Sequence, residues 1–156
     1  MQENKIITLD QIIRAYMLGM FPMAESRTSN KFCLVDPELR AVIPIFNFHV
    51  SKSLLRLVKK KPFKITINKA FPDVIKSCAT INRTETWINK EIESLFISLY
   101  EMKLAHSVEC WKDNKLVGGI YGLAIGGIFF AESMFSSVPN GSKIALLNLV
   151  ARLWRT

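Results

Sequence analysis

One carboxylate stands out for its neighbours. Glu132 follows Ile128-Phe129-Phe130-Ala131 without a polar spacer. A charge beside such an apolar run is costly unless something pairs with it. Upstream, five of the seven glycines of the chain lie between Leu116 and Ala131. Glycine weakens a strand, so this density asks for a bulge or the close approach of another backbone or a ligand. Two readings follow. One is a sheet surface that holds a small apolar group and orients it with a single acid. The other is a core meander with Glu132 at a solvated strand end.

A second feature is charge. The 156 residues carry a net +8. Eight basic residues fall between Lys52 and Lys76, among them Lys52, Arg56, Lys59, Lys60 and Lys61, against one acid, Asp73. Nearly the whole excess therefore sits in one window. Such a window is either the footprint of a phosphate-backbone binder or an ordinary solvated helix face.

Other chemistry finds little material. The two histidines, His49 and His106, have no nucleophile and acid at recognisable spacing, and His106 reads as structural. Cys33, Cys78 and Cys110 are scattered, odd in number and without CxxC spacing. That points to a reduced cytosolic chain without a metal site. Asn140-Gly141-Ser142-Lys143 lacks the first glycine of a phosphate loop, although a helix N-terminus there can attract an anion. Met1 to Asp10 carries no signal pattern. Leu116 to Ala131, sixteen uncharged residues broken by glycine, falls short of a membrane span of ~20.

The elements that must position these residues come next. Length and a hydrophobic content of 49% suit one domain, or one domain with a small N-terminal appendage. Thr8 to Gln11 reads as a capping box opening a helix that Gly19 ends. Phe21-Pro22-Met23 reads as an extended turn, residues 24 to 40 as irregular, and Ala41-Val42-Ile43 as a short strand. Ser51 caps a helix to about Lys60, with Leu54, Leu55, Leu57 and Val58 inward. Phe63 to Ile67 alternates as a strand. Asn68 caps a third helix carrying Phe71, Val74, Ile75 and Cys78. Trp87 stands before a fourth, about Asn89 to Lys103, with Ile92, Leu95, Phe96, Leu99 and Met102 as its apolar stripe. Three antiparallel strands fill 105 to 136. Ser142 caps a last helix, apolar on nearly every side, which belongs in a deep interior. Its outer face asks for a cover.

Several stretches, in order, resemble one family. They are Ala15-Tyr16 with Gly19-Met20-Phe21-Pro22, Thr86-Trp87-Ile88, Ala105 to Glu109, Leu116-Val117-Gly118-Gly119 with Tyr121-Gly122, and Glu132-Ser133-Met134-Phe135-Ser136 with Ser142-Lys143. The chain is similar to the bacterial leucyl/phenylalanyl-tRNA–protein transferases. The resemblance implies a mixed α/β (α+β) fold of the N-acetyltransferase-like (GNAT) kind. It implies a small N-terminal domain, residues 1–50, and a transferase domain, 51–156, that stops short of the family's C-terminal part. The implied activity is transfer of Leu or Phe from aminoacyl-tRNA to the N-terminal Arg or Lys of proteins, marking them for degradation under the N-end rule. The implied setting is cytoplasmic, without cofactor, metal or membrane.

Residue by residue, Trp87 corresponds to a platform for the terminal adenosine, and Met23 to its aromatic partner in the family. Ile120, Phe129 and Leu149 correspond to the wall of the side-chain pocket, and Glu132 to the acid at the aminoacyl end. Lys52, Arg56, Lys59, Lys60 and Lys61 correspond to the tRNA contact. Ala131 stands where the family usually has Gly. The family's Asp-x-Gln proton acceptor lies beyond residue 156. The expectation is accordingly a poorly soluble chain with little transfer by itself. The alternatives are a module that holds tRNA acceptor ends without transfer, and a non-functional fragment.

Overall fold

The computed structural model describes residues 7–155. Met1 to Ile6, part of the stretch read for a signal, and Thr156 lie outside them. Thr8 closes a full capping box with Gln11 and starts α1 (Leu9–Met17), which buries Ile12, Ala15 and Tyr16. Gly19 follows at φ +92°. Phe21–Met23 is not a turn but a strand, β1, paired antiparallel with β2 (Cys33–Val35). No periodic signal marks β2, because three residues are too few to show one. Ala41 to Ile43 forms no strand: Val42 and Ile43 are exposed and have no ladder partner among the described residues.

Ser51 accepts from the Leu54 amide and opens α2 (Lys52–Lys59). Leu54, Leu57 and Val58 face inward, but Leu55 is exposed. The main sheet takes β3 (Lys64–Ile67), β4 (Ala105–Lys112), β5 (Lys115–Ile125) and β6 (Ile128–Ser136) in that order, antiparallel throughout. Between β3 and β4 run α3 (Phe71–Thr80) and α4 (Lys90–Glu101), the latter capped by Asn89. After β6 comes α5 (Gly141–Leu153). The mixed α/β class expected from the sequence is the class observed.

The strands alternate, so the sheet has two apolar faces. One carries Ala105, Tyr121, Leu123 and Phe135 and is covered by α1, α3 and α4. The other carries Val108, Cys110, Val117 and Ile120 and is covered by α5 and the inward side of α2. Helix α5 seats on the sheet where Gly118 meets Gly141. A Cβ on Gly118 would fall 2.7 Å from the Gly141 carbonyl carbon. The outer side of α5 is partly covered. Phe46, in a short 3-10 turn (Ile45–Asn47), meets Trp154 edge-on at 6.4 Å, yet both rings stay largely exposed.

Three further expectations are corrected. Asn68 does not cap α3; it sits at φ +55° and binds β4 instead, accepting from the Ser107 amide at 2.9 Å and donating Nδ2 to His106 Nδ1 at 2.9 Å. The start of α3 is served by a distant side chain, Glu109, whose Oε1 accepts from the Lys69 and Ala70 amides. Asn140, at φ +68°, precedes α5, so Ser142 lies inside that helix. Met102 is an exposed C-cap rather than part of the buried stripe. Among the described residues no helix is long and apolar enough to cross a membrane.

Candidate functional site

A cleft of about 300 Å³ opens beside β6. Trp87, Ile120 and Glu132, three of the residues singled out in the sequence, line it together with Arg83, Leu146 and Ile43. Glu132 reaches the cleft through a defect in the sheet. Tyr121 pairs with Ser133 and Gly122 pairs with Ala131, so Glu132 is the extra residue of a β-bulge. Bulges re-aim side chains at sheet edges. At Gly122 the chains close up so tightly that a Cβ would stand 2.2 Å from the Phe130 carbonyl oxygen and 2.5 Å from the Phe129 ring. The glycine density noted in the sequence therefore answers to close backbone approach at Gly118 and Gly122.

The Tyr16 hydroxyl donates to Glu132 Oε1 at 2.8 Å, joining α1 to β6 across the chain. Burial pushes the Glu132 carboxyl up to about 7, against the hydrogen bond from Tyr16 and the charge of Arg40, which both hold it down. Burial and then the neighbouring carboxylate push the Tyr16 phenol far above its ordinary range, so it stays a donor. Tyr121, wholly buried, has a hydroxyl without a hydrogen-bond partner among the described residues and feels the charge of Glu132. The solvated-end reading of Glu132 is thus replaced by a half-buried, bonded one.

Trp87 is half-buried at the entry to α4, and its loop is tied down from the N-terminal side. The Ala24 amide donates to the Trp87 carbonyl at 3.2 Å. Arg27 donates to the Ile88 carbonyl at 2.7 Å and pairs with Glu93 at 2.6 Å. That ion pair is the partner of Glu93 Oε1, an atom otherwise without a hydrogen bond. Met23, one residue before Ala24, is exposed and stands outside the cleft lining. Phe129 and Leu149 back the wall from within, in one apolar cluster with Ile120 and Leu146.

Arg83 donates to Ser133 Oγ at 3.1 Å and brings a cation to the cleft. Sequence reasoning missed Arg83, Ile43 and Leu146 as cleft groups, and Tyr16 as the partner of Glu132 behind the cleft. Only Leu146, on the apolar helix beside Leu149, carried a signal. Cys78 and Cys110 have thiols pushed up to about 12 by burial, which removes them as nucleophiles. His106 is bonded to Asn68, and burial lowers its pKa. No cluster of His, Cys, Asp or Glu among the described residues could hold a metal.

Lys52, Arg56, Lys59, Lys60 and Lys61 are all exposed, and none forms an ion pair among the described residues. The apolar side of α2 packs in the same cluster as Ile120 and Leu146. A second hollow, about 370 Å³, lies at the start of α5 near Ser136, Ser142 and Lys143; none of the substrate residues named from the sequence lines it.

Residues 42–156 match the family model described as leucyl/phenylalanyl-tRNA protein transferase. A leucyl/phenylalanyl-tRNA–protein transferase of Rhodospirillum rubrum is 51% identical over 151 residues, 96% of this chain and 71% of its own length. One of Paramagnetospirillum magneticum is 52% identical over 149 residues, 94% and 71% of the two chains. One of Phenylobacterium zucineum is 51% identical over 144 residues, 91% and 65%. The chain thus spans roughly two thirds of the length of these relatives. With that identity along nearly all of its length, the chain belongs to the leucyl/phenylalanyl-tRNA–protein transferase family.

Proposed function

We propose that the cleft holds the aminoacyl end of leucyl- or phenylalanyl-tRNA for transfer to the N-terminal Arg or Lys of a protein. One observation carries this reading: an aromatic ring, an aliphatic wall and one acid, Trp87, Ile120 with Leu146, and Glu132, meet in a single cleft. Trp87 stacks on the terminal adenine, as aromatic platforms do for unpaired bases, with Met23 at its outer side. Ile120, Phe129 and Leu149 take the Leu or Phe side chain. Glu132 takes the α-amino group of the aminoacyl ester. Lys52, Arg56, Lys59, Lys60 and Lys61 follow the acceptor-stem phosphates.

In the reaction the neutral α-amine of the acceptor protein attacks the ester carbonyl. An amide bond forms, the ester bond breaks, and the 3′-oxygen of the ribose leaves with a proton. The contribution of these residues is positioning and exclusion of water. Product proteins carry a new N-terminal Leu or Phe, a mark for degradation in the cytoplasm. The proposal includes a GNAT-like arrangement of the sheet and a division into residues 1–50 and 51–156; β1 and β2 form a sheet of their own, while α1 packs into the core of the main sheet.

The deciding experiment combines retention of leucyl-tRNA with transfer of labelled Leu to a peptide with N-terminal Arg. Charged tRNA is expected to bind more tightly than uncharged tRNA. Trp87→Ala is expected to weaken retention about tenfold, the worth of one stacked base. Equal retention of charged and uncharged tRNA overturns the proposal. Among the described residues Glu132 is the one acid lining the cleft, which favours, as the second reading, an acceptor-end-holding module. Retention through Trp87 and Glu132 without transfer selects it.

The basic helix has its own test. Replacing Lys59, Lys60 and Lys61 together with Ala is expected to flatten the log–log salt dependence of tRNA binding by up to ~3 units, about 0.7 to 0.9 per phosphate contact. An unchanged slope makes the run a solvated face.

A further inference from the structure

The geometry points to Tyr16 as a positioning residue for Glu132: its hydroxyl fixes one carboxylate oxygen and leaves the carboxylate free to receive an ammonium group from the cleft. The inference rests on the proposed function for the identity of that ammonium, the α-amino group of the aminoacyl ester.

Tyr16 is 1% exposed, and its ring stands edge-on to Phe130 at 5.2 Å. The hydroxyl therefore has little freedom to turn elsewhere. It lies 2.8 Å from Glu132 Oε1 and is the one hydrogen-bond partner of that carboxylate among the described residues. A carboxylate offers acceptor sites on both oxygens, so one donor leaves most of its capacity unused. A bulge residue on an edge strand would otherwise swing about its own torsions. The bond spans 116 positions, so α1 sets the aim of a group on β6.

The neighbours of Glu132 are few. Tyr16 faces it from α1, Tyr121 from β5, and Arg40 from the segment after β2, while Arg83 lines the same cleft. Arg40 is tied to the Gly19 carbonyl and lies over the Phe21 ring at 4.8 Å. Arg83 is tied to Ser133. Neither cation forms a salt bridge with Glu132 among the described residues. The state of the carboxyl is thus set by burial on one side and by the Tyr16 hydrogen bond, with the charge of Arg40 behind it, on the other. A donor to the charged form favours ionisation. Removing the hydroxyl should therefore make Glu132 harder to ionise. An ammonium ligand needs the carboxylate, so the acid limb of its binding should move to higher pH.

The test is a carbon-13 titration of protein labelled at the Glu carboxyls, with the Glu132 resonance assigned by its loss in Glu132→Gln. In Tyr16→Phe, which keeps the ring against Phe130, the Glu132 midpoint is expected to rise by about one pH unit, the scale of one charge-assisted hydrogen bond. In Tyr121→Phe it is expected to stay in place, because that hydroxyl makes no hydrogen bond among the described residues. An unmoved midpoint in Tyr16→Phe, or an equal rise in both variants, overturns the inference. A second measurement needs no change at Tyr16. The ring carbon bearing the Tyr16 hydroxyl should report the Glu132 titration in the native chain and lose that response in Glu132→Gln; no response overturns the inference as well. The functional reading is judged apart, by the affinity of 3′-leucylamido-adenosine against its counterpart lacking the α-amine. Equal affinities sink the proposed function while the titration still decides the role of Tyr16.

Discussion

Glu109→Ala is expected to cost about 3–5 kcal/mol of stability, a large part of the ~5–15 kcal/mol that holds a domain folded. Glu109 has no exposed surface. It accepts from Thr66 Oγ1 at 2.6 Å, from Ser107 Oγ at 2.6 Å, and from the Lys69 and Ala70 amides at 3.2 and 3.4 Å. The Ala70 amide is one that a helix N-terminus leaves without an internal partner, and the Lys69 amide lies just before it. Ala70, the N-cap of α3, has no side-chain oxygen to offer them. A carboxylate from β4 does so instead, and the helix dipole favours its charge. Alanine would strand four buried or half-buried donors together. Glu109→Gln keeps one acceptor oxygen and the volume, and its cost should stay near 1–2 kcal/mol. Trp111 donates its ring N–H to Thr66 Oγ1 at 2.7 Å, so its fluorescence should report the change during urea unfolding. A loss below about 1 kcal/mol for Glu109→Ala would show that water replaces the carboxylate at no cost.

Glu109 also shows where sequence reasoning stops. His106, Val108 and Cys110 fall at every second position, so β4 was legible from period alone. The same holds for α1, α2, α4 and the β5–β6 pair, whose caps and spacings are local. The partner of the α3 N-terminus was not legible. Asn68 has the right chemistry for a cap at about the right place, but it lies 39 residues from Ser107 in sequence and beside it in space. Tertiary pairing decided its conformation. Ala41 to Ile43 reads as a strand because β-branched residues are common there, yet among the described residues it pairs with no strand. Leu55 looks inward by composition and points outward because α2 has one narrow contact face.

The site was legible in its chemistry and not in its geometry. Glu132 drew attention as a charge without a spacer, and Trp87 as a large ring at a helix entry. Neither pattern shows that a bulge turns the first into the cleft, or that residues 24 to 31 hold the loop of the second. Tyr16 sits at a core position of an amphipathic helix and reads as packing. Its second use depends on a strand more than a hundred residues away.

Gly122→Ala should have the largest effect on the cleft while adding a single methyl group. That methyl would stand 2.2 Å from the Phe130 carbonyl oxygen, and 2.5 and 2.9 Å from two ring carbons of Phe129. A side-chain end can turn aside, but the Phe130 oxygen belongs to the backbone of β6. The strand must therefore shift, and it must do so where Gly122 faces Ala131 next to the bulge. Two consequences are expected together. Stability should fall by about 3 kcal/mol or more, the upper end of overpacking costs, because backbone and a core ring both move. The cleft should also lose its order, since Glu132 leaves its 2.8 Å contact with Tyr16 and Phe129 leaves the wall behind Ile120. The preference for 3′-leucylamido-adenosine over the analogue without the amine should then disappear even below the melting temperature. Gly127→Ala is the control: it adds the same methyl group two residues past the end of β5, where no atom lies within 4 Å, and should leave both readings unchanged. Retained amine preference in folded Gly122→Ala would mean that Glu132 finds its ligand without the bulge that aims it.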